Sequence, residues 1–121
     1  MDWSSPDGDP SWRDLFCQFE PHTGREQAGT RPVLVLSIDS INQLPLVVTV
    51  VVGTKGANIV RDYPTNVRVP ASESGLPMET VFLCFQIRSL DSSRFPASPS
   101  GKLSDRYLAM VDDAVRYSLG L

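Results

Sequence analysis

Two continuous apolar runs constrain this chain more than any other feature. Residues 33–36 read Val-Leu-Val-Leu and residues 46–52 read Leu-Val-Val-Thr-Val-Val-Val. Neither alternates with polar residues, so each fits a strand covered on both faces. The β-branched density of the second run places it at the centre of a sheet. Ahead of the first run lies a polar loop in which Gly24 and Gly29 give the backbone access to positive φ, and Pro32 biases Arg31 towards an extended conformation. Arg31 is therefore held at the mouth of a rigid strand, where function concentrates.

The remaining elements follow from shorter signals. Residues 14–20 alternate weakly and end at Pro21, giving a first strand, and residues 31–37 give the second. The third strand, 46–52, ends at Gly53 and Thr54, and residues 55–61 make a polar loop, expected to be mobile, with Gly56 and Asn58 as turn residues. Residues 64–70 set Thr65, Val67 and Val69 on one face and Asn66 and Arg68 on the other, the pattern of a half-buried strand, and 71–77 is a turn. Residues 80–88 make one or two strands, with Val81, Leu83, Phe85 and Ile87 on one side and Phe82, Cys84, Gln86 and Arg88 on the other. The second side changes from apolar to polar, which marks a strand leaving the core to reach a site. Residues 91–95 form a helical turn and 96–101 a linker. A final helix has Ser104 as N-cap, Asp105 in its first turn, Gly120 as its stop, an apolar stripe of Tyr107, Leu108, Val111, Val115 and Leu119, and an Asp112–Arg116 pair.

At 121 residues and 41% hydrophobic composition the chain supports one domain whose core is modest enough that dimerisation would help it. No apolar run approaches the roughly 18 residues that span a bilayer, so no membrane is involved. Residues 1–12 are expected to be a flexible acidic tail, neither signal nor transit peptide, and 13–121 the domain. Cys17 and Cys84 lack metal-ligand spacing, so no metal or cofactor is expected; both read as reduced core thiols, which favours the cytoplasm. The single histidine, His22, rules out a two-histidine ribonuclease and reads as a turn residue. A net charge of −3 argues against indiscriminate nucleic-acid binding. The acids gather at both ends, however, and Arg25, Arg31, Lys55, Arg61, Arg68, Arg88 and Arg94 lie between them, which leaves room for a local positive groove.

Four motifs in order also carry a resemblance. They are Gly24-Arg25-Glu26-Gln27-Ala28-Gly29 with Arg31-Pro32 and its strand, Tyr63-Pro64-Thr65-Asn66-Val67, Gly75-Leu76-Pro77 leading to Phe85-Gln86-Ile87-Arg88-Ser89-Leu90-Asp91, and the helix ending in Leu119-Gly120-Leu121. From residue 14 onward the chain resembles the MazF/PemK toxins. The resemblance implies a mostly β fold with α, an SH3-like barrel of the CcdB/Kid/MazF kind with a C-terminal helix, assembled as a homodimer. It also implies a metal-independent, sequence-selective endoribonuclease that cleaves single-stranded RNA to 2′,3′-cyclic phosphate and 5′-hydroxyl ends, neutralised by a MazE-like antitoxin. The chain departs from the family in a first strand one position short, with Trp12-Arg13-Asp14 in place of the usual opening, and in its long 55–61 loop.

The resemblance assigns catalysis to Arg31 and Thr54. A guanidinium is planar, always charged and able to grip two phosphate oxygens, and a hydroxyl can help hold the phosphate. The competing readings are a strand-end arginine paired with an acid such as Glu26, and a strand-terminating turn threonine. Arg25, Glu26, Gln27, Gln86 and Arg88 match polar positions lining the RNA channel or positioning Arg31. Lys55, Arg61 and Arg68 would track phosphates if their loop lies beside the site. Phe85 replaces the acid usual before Gln86 and is expected in the core between Leu83 and Ile87, with base stacking as the alternative. A second function class stays open: a non-catalytic, CcdB-like protein-binding toxin with a gyrase-type target.

Overall fold

Among the described residues six strands, all antiparallel to their neighbours, make one sheet in the order β4-β5-β3-β2-β1-β6. They are β1 (Leu15–Phe19), β2 (Arg31–Val35), β3 (Val47–Lys55), β4 (Asn66–Val69), β5 (Thr80–Asp91) and β6 (Gly101–Lys102). A one-turn helix α1 (Ala71–Ser74) precedes β5, and α2 (Asp105–Leu119) ends the chain. The computed structural model describes residues 15–19, 31–38, 47–91, 93, 95, 99 and 101–121. The expected tail at 1–12, the loop with His22, Arg25, Glu26 and Gln27, the Cys17 side chain and Arg94 lie outside the described residues. Among those described, β4 and β6 are the two edges and no pairing joins them, so the expected barrel is seen as an open sheet.

The continuous apolar runs are explained by burial on both faces. Side chains alternate along a strand, and partners on paired strands share a face. One face gathers Val33 and Val35 of β2, Val48, Val50 and Val52 of β3, Leu90 of β5, and Phe95. The other gathers Leu34, Val51, Val67, Val69, Phe82 and Cys84 under Leu103, Val111 and Ala114. The helix covers this second face, with Tyr107, Leu108 and Val115 packed at its margin. β3 contributes to both cores and lies inside the sheet, as its β-branched composition requires.

Several boundaries differ from the sequence reading. β3 does not stop at Gly53 but continues to Lys55, because β5 keeps pairing with it through Gly53↔Phe82, Thr54↔Val81 and Lys55↔Thr80. β5 is one strand reaching Asp91, interrupted where Val51↔Ile87 gives way to Val52↔Leu83, so that Cys84, Phe85 and Gln86 fall in a bulge. That bulge breaks the simple alternation. Val81, Phe82, Leu83 and Cys84 are all buried, whereas Phe85 is turned outward and 53% exposed, not in the core.

The helix ends as expected at Gly120, whose φ of 74° lets its N–H and that of Leu121 close on Tyr117 and Arg116 carbonyls. Ser104 occupies the N-cap, yet its hydroxyl makes no capping bond and is buried without a partner among the described residues. Arg116 pairs with Asp113 at 3.2 Å, one position nearer than the expected Asp112, and Leu119 is exposed at the fraying end. No helix among the described residues is long and apolar enough to cross a membrane.

Cys84 is a free, fully buried thiol whose Sγ lies 3.7 Å from the Phe82 carbonyl oxygen. Burial, with the Asp112 charge in support, pushes its pKa up to about 12. The folded state therefore holds this proton after the unfolded chain has released it, so stability falls as pH rises from about 9. In the native protein at pH 8, Cys84 is expected to resist iodoacetamide, and to react at the rate of a free thiol only once denaturant unfolds the chain. Mass spectrometry of labelled peptides checks this; rapid native labelling at Cys84 contradicts the buried assignment.

Candidate active site

The β2–β3 register runs Val33↔Val52, Leu34↔Val51 and Val35↔Val50. Two further steps set Pro32 opposite Gly53 and Arg31 opposite Thr54. Local packing supports that continuation. A Cβ built on Gly53 would meet Pro32 Cγ at 2.9 Å, Thr80 Cγ2 at 3.0 Å and Phe82 Cδ1 at 3.2 Å, so the proline ring already lies against the residue expected to face it. Opposed residues in an antiparallel pair have Cα atoms about 4.5–5.5 Å apart. Arg31 and Thr54 are thus neighbours across two strands, each half-buried.

Both belong to the face away from the helix. Arg31 shares the parity of Val33 and Val35, and Thr54 that of Val48, Val50 and Val52, all in the core on that face. The row continues outward through Thr54↔Val81 and Arg68↔Val81. Arg31, Thr54, Val81 and Arg68 consequently cross four strands at one end of the sheet. Arg88 pairs with Val50 and so lies on the same face, displaced from Thr54 by four residues of β3, or about 13 Å. Its side chain is exposed, and half-buried Gln86 sits in the intervening bulge.

The loop after β3, read from sequence as mobile, is tied to the sheet. Arg68 donates from Nε to Asp62 Oδ1 at 2.9 Å, from Nη1 to Glu79 Oε1 at 2.7 Å and Gly56 O at 3.1 Å, and from Nη2 to Ile59 O at 2.7 Å. These partners, Glu79 before Asp62, raise its pKa above the ordinary guanidinium value, so the charge is permanent. Arg68, expected beside phosphates, turns all three guanidinium nitrogens to this loop instead. Lys55 and Arg61 remain exposed along it. The Thr54 hydroxyl accepts a hydrogen bond from Asn58 Nδ2 at 3.0 Å. In the sequence Asn58 reads only as a turn residue and Asp62 and Glu79 carry no signal; a loop asparagine gives no sign of which residue its amide will reach.

Arg31 and Thr54 are therefore brought together, Arg88 lies about 13 Å away along the same face with Gln86 in the bulge between, and Arg25, Glu26 and Gln27 lie outside the described residues. A guanidinium beside a hydroxyl can hold and neutralise a phosphoryl group. Residues 15–119 match the PemK-like, MazF-like toxins of type II toxin–antitoxin systems. The chain belongs to the MazF/PemK toxin family. Among its relatives is the endoribonuclease EndoA of Bacillus subtilis, 35% identical over 107 residues that span 88% of this toxin and 90% of EndoA. The endoribonuclease MazF of Staphylococcus saprophyticus is 36% identical over 88% of this chain and 87% of its own. The toxin's fold is similar to MazF from Deinococcus radiodurans, with a TM-score of 0.69, 28% identity, and coverage of 90% of this chain and 96% of that one. A mycobacterial endoribonuclease in complex with its cognate antitoxin shares the fold at a TM-score of 0.72 and 20% identity, covering 90% of this toxin and 94% of that chain. These relatives place the toxin among MazF-type endoribonucleases and do not favour the gyrase-type alternative.

The contact of Pro32 with Gly53 gives a direct test of the register. Gly53→Ala forces its new methyl into the Pro32 ring and Thr80, and overpacking of this kind costs about 1–3 kcal/mol. Urea unfolding should show that loss with an unchanged m-value; an Ala variant as stable as the parent would contradict the contact.

Proposed function

We propose that this toxin is a metal-independent, sequence-selective endoribonuclease acting on single-stranded RNA in the cytoplasm, as a homodimer of SH3-like barrels held in check by a MazE-like antitoxin. The observation that most supports this reading is the β2–β3 register, which, continued two residues past Val33↔Val52, sets Arg31 opposite Thr54 on the face the helix leaves uncovered. The names of the relatives, endoribonuclease EndoA and endoribonuclease MazF, support the substrate class, and a MazE–MazF complex from Deinococcus radiodurans with a similar fold supports the partner.

RNA carries its own nucleophile. Attack by the 2′-hydroxyl oxygen on the adjacent phosphorus forms the cyclic P–O bond and breaks the bond to the 5′-oxygen, the 2′-hydroxyl proton passing to solvent, which in turn restores the proton that the leaving oxygen takes up, so that 2′,3′-cyclic phosphate and 5′-hydroxyl ends remain. The protein's task is to align the reacting atoms and stabilise charge on the pentacoordinate phosphorus. Arg31 grips the non-bridging oxygens as they gain charge and supplies a proton to the leaving oxygen; Thr54 donates its hydroxyl to the same phosphoryl group. Gln86 and Arg88 hold the RNA further along the sheet, with exposed Phe85 between them and the β4 edge as a surface on which a base can stack. Lys55 and Arg61 attract flanking phosphates, Arg68 holds the loop that bears them, and Arg25, Glu26 and Gln27 complete the channel or orient Arg31.

Incubation with RNA in excess EDTA tests the reading. The expected products carry cyclic-phosphate ends, and Arg31→Ala lowers the cleavage rate on the order of 10²–10³-fold, the usual cost of one charge-stabilising group. Intact RNA across many sequences, or undiminished cleavage by Arg31→Ala, would falsify it.

A further inference from the structure

The loop after β3 reaches back to the candidate reacting group itself. Gly56–Asn58 form a single 3-10 turn, closed by the Ile59 N–H on Gly56 O at 3.1 Å and anchored by the Gly56 N–H on Glu79 O at 2.9 Å. Arg68 grips the two carbonyls that bracket the turn, those of Gly56 and Ile59. The Glu79 side chain lies over Gly56, where an added Cβ would run into its carboxylate and come within 2.8 Å of its Cγ. A side chain at residue 56 would therefore have to displace the Glu79 carboxylate from its place beside Arg68, so the glycine helps seat the turn. From that seat Asn58, four residues after Thr54, donates its amide N–H to Thr54 Oγ1.

A threonine hydroxyl has one proton to donate and two lone pairs to accept with. An amide N–H on one lone pair leaves the hydroxyl proton to point away from the amide, and the side chain no longer samples its rotamers freely. We propose that Asn58 is a positioning residue for Thr54, fixing its hydroxyl as a donor to the phosphate, with Arg68 holding the turn that makes this possible. The inference rests on the endoribonuclease reading above and adds a residue to it. Its physical content is preorganisation: the donor is aimed before RNA arrives, so no ordering of Thr54 remains for the reaction step.

The test compares single-turnover cleavage of one single-stranded RNA oligonucleotide by the full chain and its variants, with RNA affinity measured separately by fluorescence anisotropy. Asn58→Ala is expected to slow cleavage about ten-fold, the rate equivalent of one oriented hydrogen bond, while affinity changes by less than about two-fold. Asn58→Asp should be at least as slow, because a carboxylate accepts the hydroxyl proton and turns it from the phosphate. In a Thr54→Ala background, Asn58→Ala should change the rate by less than about two-fold, since the group it orients is gone. A purely structural role would slow both backgrounds alike, and that outcome, or full activity of Asn58→Ala beside an active parent, overturns the inference alone. A parent chain that leaves all RNA intact overturns the nuclease reading and this inference together.

Discussion

The antiparallel pairing of β2 with β3 is the constraint on which the site depends. The Pro32 ring fills the space over Gly53, and the same register carried one step further sets Arg31 opposite Thr54. The strands are locked below this point by apolar side chains on both faces, Val33 and Val35 on one and Leu34 on the other. A slip of one residue would turn every one of those side chains to the wrong face. The cost of such a slip is what makes the relation of guanidinium to hydroxyl dependable. Two residues far apart in sequence are thus held in place by core packing.

The helix contributes by what it leaves uncovered. It packs through Val111 and Ala114 over Val67, Val69 and Phe82, covering one face of the sheet above β4 and β5. The other face has a smaller core, capped by Phe95, and this core stops short of the strand ends where Arg31 and Thr54 lie. A surface formed of polar side chains at the rim of a packed layer suits a polyanion, which needs charge within reach of solvent and a rigid floor beneath it. The charge at that rim is local, since the chain as a whole is acidic.

Much of this was legible in the sequence. The strands at residues 33–36 and 46–52 were readable because an unbroken β-branched run has few other uses, and the helix because its cap, stripe and glycine stop agree. The site's first member was readable because Arg31 stands between a glycine loop and such a strand. What escaped depends on tertiary register. Gly53 reads as a strand terminator, yet it sits inside β3 because Pro32 occupies the space a side chain would need. Phe85 reads as core from its neighbours Leu83 and Ile87, yet the bulge puts those neighbours on different faces and sends it outward. The 55–61 loop reads as mobile because nothing local reveals that a guanidinium on β4 will reach across to its carbonyls.

The bulge in β5 has a consequence for how such a protein can diversify. The pairs on its two sides are held by different stretches of β3, Val47–Val51 and Val52–Lys55, so the residues between them bear little of the ladder's register. Cys84 keeps its place in the core, but Phe85 and Gln86 face outward or nearly so. Substitution at these two positions alters the shape and polarity of the surface while the strands that carry Arg31 and Thr54 stay as they are. One irregularity in one strand thereby separates the part of the molecule that can drift in what it recognises from the part that must not move.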